Sequence, residues 1–150
     1  MKLAEALLLR AEYQTKLENL ENRLLSNLKI QEGDSPNEDP IVLLSEMEAT
    51  NRKLTELVKK INTCNAREKL SDGRPLSDAL VDREALLKER RILATLVGRA
   101  NEQDYRVSRT EIKMTVTLSV KELQSRIDSL SKEYRQLDTE LQGKNWTVDL

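Results

Sequence analysis

The stretch LSVKELQSRIDSLSKEYRQLDTELQG, residues 118–143, decides the fold. Ser119 precedes Glu122 by three positions, the capping-box spacing in which each side chain satisfies a backbone N–H of the first turn, and Leu118 and Leu123 flank it as a hydrophobic staple. Val120, Leu123, Ile127, Leu130, Tyr134, Leu137 and Leu141 then recur at alternating steps of three and four, which puts them on one narrow seam of a helix. The remaining positions are charged or polar, and Gly143 supplies a residue suited to closing the C-terminus. A seam this narrow needs a partner helix.

Three other segments match it. Leu3, Leu7, Tyr13, Leu17, Leu20, Leu24 and Leu28 predict a first helix over about 2–28. QEGDSPNEDP, residues 31–40, then collects Gly, Pro and acidic residues into a solvated connection. Asp39 as N-cap and Pro40 in the first turn start a second helix, about 40–66. Its predicted seam is Leu44, Met47, Asn51, Leu54, Val58, Ile61 and Asn65, in which Asn51 and Asn65 read as register-setting residues rather than ligands. A third helix, about 77–101, carries Ala79, Leu80, Leu86, Leu87, Leu93, Ala94, Leu96 and Val97, a stripe wide enough to suggest burial on more than one face.

Between these helices the period changes. Asp72-Gly73 and Pro75 mark a tight turn or short hairpin near 70–76. Ile112, Met114, Val116 and Leu118 alternate with Lys113, Thr115 and Thr117, so residues 105–117 read as a strand with a bulge near Ser108–Thr110. The Gly73 hairpin, the alternating Trp146, Val148 and Leu150, or another subunit could pair with it. The expected fold is therefore mainly α, an elongated antiparallel coiled-coil bundle of four long helices forming one domain over 1–150, with a small β element.

Composition narrows the function. Charged residues are 34% and aromatic residues 3%, the balance of exposed helices around thin Leu-rich cores. The 25 basic and 26 acidic residues are interspersed, which argues against a nucleic-acid or anionic-membrane surface. No apolar run reaches the roughly 20 residues of a membrane span, and the N-terminus lacks a signal-peptide order, so a cytoplasmic protein is expected. There is no His and one Cys, Cys64, which reads as a small buried filler. Imidazole-dependent catalysis and the Glu-x-x-His di-metal site of helical bundles are thereby removed. The Gly residues at 33, 73, 98 and 143 form no phosphate loop. No catalytic, cofactor or metal residues are assigned.

One basic cluster stands out: Arg67, Arg74, Arg106, Arg109 and Lys113 in or beside the two non-helical segments. It is a candidate surface for a phosphate ligand, an acidic partner or RNA, to be weighed against local pairing with Glu68, Asp72, Asp104 and Glu111.

Several stretches resemble the septicolysin-like family of small bacterial coiled-coil proteins of unknown function. They are MKLAEALLLRAEYQ at 1–14, IQEGDSPNEDP at 30–40, DGRPLSDAL at 72–80, YRVSRTEIK at 105–113 and NWTVDL at 145–150. The resemblance implies a cytolysin in name only, and brings no catalytic residues with it. The sequence thus points first to a non-enzymatic structural or protein-interaction module that self-associates, with a dimer as the default and room for an unknown protein partner. Binding of nucleic acid or a phosphate ligand at the Arg cluster is one alternative, and a cytolysin-like role, implied only by the family name, is another.

Overall fold

A computed structural model describes residues 1–102 and 112–150. The chain is mainly α, and its described residues form four helices: α1 Leu3–Ser26, α2 Pro40–Arg67, α3 Leu76–Ala100 and α4 Val120–Thr147. They fall into two compact units, one made of residues 1–76 with 142–150 and the other of residues 77–141.

In the first unit α1 and α2 run antiparallel. Lys16 pairs with Glu46 at 2.8 Å, and seven residues further along α1 Arg23 pairs with Glu38, eight residues back along the chain. Asp39 caps α2 by accepting the Ile41 N–H at 2.9 Å, with Pro40 in the first turn, as its sequence requires. The connection is anchored at its start by Asn27. Its buried side chain donates to the Arg23 carbonyl at 2.8 Å and accepts the Glu38 N–H at 3.1 Å.

The buried stripe of α2 is Leu43, Thr50, Leu57 and Cys64, every seventh residue, together with Ile61. The seam therefore lies one residue earlier than the spacing from Leu44 suggested. Asn51 is exposed and Asn65 half-buried, so small, weakly polar Thr50 and Cys64 occupy the places expected for two asparagines. The cause is an ambiguity of frame: Leu43 and Leu44 are both apolar, and either could begin a heptad.

In the second unit α3 and α4 are also antiparallel. Arg83 reaches Asp138 at 2.8 Å and Arg90 reaches Ser131 at 3.4 Å, seven residues forward on one helix and seven back on the other. Ser119 caps α4 by accepting the Glu122 N–H at 3.2 Å. Leu123, Leu130, Leu137 and Leu141 are buried, with Val120, Ile127 and Tyr134 half-buried between them. Gly143 does not end the helix. It lies inside α4, which continues to Thr147, because a single Gly weakens a helix by only about 1 kcal/mol and the residues after it are compatible with one.

No sheet forms among the described residues. Two isolated bridges occur, Lys69 with Pro75 and Lys2 with Asp149. The first closes a tight turn in which Gly73 takes φ +91°, the Leu70 N–H donates to the Arg74 carbonyl at 2.8 Å and the Leu76 N–H to the Glu68 carbonyl at 2.9 Å. One bridge is a turn rather than a hairpin of strands. Ile112–Thr117 contains no strand, and Tyr105, Val107 and the bulge expected at 108–110 lie outside the described residues. The end of the chain does pair, but with its beginning. The Leu3 N–H donates to the Val148 carbonyl at 2.9 Å and the Leu150 N–H to the Met1 carbonyl at 3.0 Å.

Candidate functional site

Of the predicted basic cluster, Arg67 and Arg74 lie in the first unit and Lys113 in the second, while Arg106 and Arg109 lie outside the described residues. Arg67 is engaged twice: its Nε meets Glu68 Oε1 at 2.8 Å and its Nη2 donates to the Asp149 carbonyl at 3.2 Å. The Glu68 hydrogen bond raises its pKa further. Arg74 pairs with Asp72 at 2.8 Å, and its N–H also donates to that carboxylate at 3.0 Å, a bond that holds Asp72 below the usual carboxylate range. Both guanidinium groups are thus engaged within the fold, Arg74 locally and Arg67 also across to the end of the chain. Lys113 is exposed.

Arg67 belongs to a clasp that local spacing does not reveal. Lys2 Nζ donates to the Thr147 carbonyl at 3.1 Å and meets Asp149 Oδ2 at 3.0 Å. Cys64 lies beneath, with Sγ 3.9 Å from the Asp149 carbonyl oxygen, and burial pushes its thiol pKa up. A buried thiol with a raised pKa is a poor nucleophile. Among the described residues no group of three Cys, Asp or Glu side chains gathers in a way that could hold a metal ion.

The other notable surface is apolar. On α3, Val81 is 69% exposed and Ile92 47%, and Leu96 is exposed as well, although the width of the leucine pattern had suggested burial on more than one face. Leu80, Val81, Glu84, Ala85, Lys88 and Ile92 line an open groove of about 540 Å³ there. The steps from Val81 to Ala85 to Lys88 to Ile92 are four, three and four, a seam on the outer side of the helix. That spacing was readable in the sequence but overshadowed by the richer leucine pattern on the inner side. A smaller groove of about 300 Å³ runs between the end of α3 and Met114–Leu118. Asn51 borders a third, of about 410 Å³, with Leu17, Leu25 and Met47.

These features define a helical protein with capped antiparallel helix pairs and exposed apolar helix faces. The chain belongs to the family of unknown function DUF6847, whose profile matches residues 10–150. This replaces the septicolysin-like assignment: the match over nearly the whole chain is to DUF6847, and nothing indicates the other family. The fold is similar to the crystal structure of a functionally unknown conserved protein from Corynebacterium diphtheriae, with 41% identity and a TM-score of 0.92 over 100% of this chain and 98% of that one. No curated protein matches the sequence. No helix among the described residues is long and apolar enough to cross a membrane.

Proposed function

We propose that this chain is a cytoplasmic, non-enzymatic interaction protein that docks a protein partner on the outer face of α3. The observation that supports this reading is the groove lined by Val81, Ala85 and Ile92, in which large apolar side chains stand in solvent at helical spacing on the side of α3 opposite Arg83, which reaches α4. A helix presenting apolar residues at such intervals offers a seam for another helix. The nucleic-acid alternative loses support because Arg67 and Arg74 already carry carboxylate partners.

The test is a photo-crosslinking residue placed at Ala85 in cells, with Gln136 as an exposed control position in the same unit. A discrete protein adduct from position 85 and none from position 136 supports the reading. Equal, diffuse labelling from both positions overturns it.

A further inference from the structure

The outer face of α3 divides its charges by position. Asp78, Asp82 and Glu84 lie in its first half, while Lys88, Arg91 and Arg99 lie in its second, with Glu89 the exception. All of these side chains are exposed. Resting on the interaction reading above, we infer that the partner is a second copy of this chain, seated antiparallel so that the two α3 faces cover each other.

The register follows from the seam. A two-fold axis between residues 86 and 87 places Val81 of one copy opposite Ile92 of the other, twice, with Ala85 opposite Lys88 at the centre. In an antiparallel pair, positions on the same flank of each helix meet. Glu84 and Arg91 share one flank, since seven residues separate them and seven residues bring a helix back to nearly the same angle at about 100° per residue. Two symmetric Glu84–Arg91 pairs therefore form across the axis. A parallel pairing would instead bring Glu84 of one copy toward Glu89 of the other, two like charges, and leave Arg91 without a carboxylate. Glu84 leans on Arg83 only loosely in the single chain, at 3.4 Å, and is 67% exposed, so it can turn outward without breaking a close contact.

The opposite flank limits the affinity. There Asp82 and Glu89 of the two copies meet, and both are acidic. The dimer is accordingly reversible, and one substitution should tighten it: Glu89→Lys removes the repulsion. Lys88 near the axis keeps the seam from being fully apolar, as a polar seam residue does when it trades stability for alignment. The seam chain, Val81 to Ile92, lies wholly in the second unit, so the surface needs nothing from the first.

The experiment is sedimentation equilibrium of the full chain over a wide concentration range, with helix content checked by circular dichroism for each variant. The expected result is a reversible monomer–dimer equilibrium. Glu84→Arg and Arg91→Glu should each weaken it by about tenfold, since each replaces two attractions with two repulsions. The double variant should restore it, and Glu89→Lys should strengthen it. A dimer indifferent to all four overturns the inference by placing the interface elsewhere. A wild-type monomer at every concentration overturns it too. In that case the docking reading itself is decided separately by the adduct from position 85, whose mass distinguishes a different protein from a second copy.

Discussion

Arg83 on α3 meets Asp138 on α4 with Nη1 2.8 Å from Oδ1, and both side chains are largely shielded, at 22% and 30% exposure. Arg83 Nε is also buried and has no hydrogen-bond partner. Removing the carboxylate leaves a half-buried guanidinium without its anchor, whereas a solvated pair such as Lys59–Glu56 can be replaced by water. Asp138→Ala should therefore lower stability by about 1–2 kcal/mol and Lys59→Ala by less than about 0.5 kcal/mol, read from urea denaturation. Arg83→Met combined with Asp138→Leu should recover most of the loss, because it removes both charges at once.

Two glycines predict opposite signs. Gly73 sits at φ +91° in the turn before α3, and a Cβ there would meet nothing within 4 Å, so the cost of Gly73→Ala is backbone strain alone, about 1 kcal/mol. Gly143 lies within α4 with the same open surroundings, so Gly143→Ala should stabilise by about 0.5–1 kcal/mol. Thermal unfolding of the two variants beside the wild type checks both. A stabilised Gly73→Ala would mean that the turn relaxes into another conformation.

What the sequence made legible depended on whether several local cues agreed. At α4, Ser119, Glu122 and the three-and-four leucine spacing all point to one helix start and one buried face, and that face is the one found. At α2 the adjacent Leu43 and Leu44 allow two frames, and only the opposing helix α1 selects between them. At the other end of α4, Gly143 by itself reads as a stop, yet the helix runs through it because four helix-compatible residues follow. Within the candidate site, the pairing of Arg67 with Glu68 is local and was among the readable alternatives. Its bond to the Asp149 carbonyl joins residues 82 positions apart, and no spacing rule reaches that far.

Acid should weaken the fold through a few surface carboxylates. Glu38 is held below the usual carboxylate range by its hydrogen bond from Arg23, Glu46 by that from Lys16, and Asp149 by that from Lys2. Because the folded values are depressed, the stability these groups add is present above the unfolded pKa and is lost as pH falls through the folded one. The urea midpoint should hold down to about pH 5 and decline below it, with the decline blunted by Glu38→Gln and by high salt. A comparable decline between about pH 7 and 6 would contradict this, since the chain has no His to titrate there.

The junction of the two chain ends makes a prediction about Cys64. Its side chain is 1% exposed, and Sγ lies 3.9 Å from the carbonyl oxygen of Asp149, whose carboxylate is held by Lys2. Shielding of the thiol thus depends on residues at the end of the chain as well as on α2. Burial raises its pKa, which keeps the reactive thiolate scarce at neutral pH and adds to the steric protection. Ellman's reagent should react slowly with the folded protein and rapidly in urea. Deleting Val148–Leu150 removes the Asp149 carbonyl, the Lys2 pair and the bonds to Met1 and Leu3, so labelling should accelerate by about tenfold or more while circular dichroism shows the helices intact. Labelling of the truncated chain at the wild-type rate would show that α2 and its neighbours alone close over the thiol. A loss of helical signal would show instead that the clasp supports the whole first unit, and Lys2→Ala, which removes only the side-chain pair, would then separate local opening from unfolding.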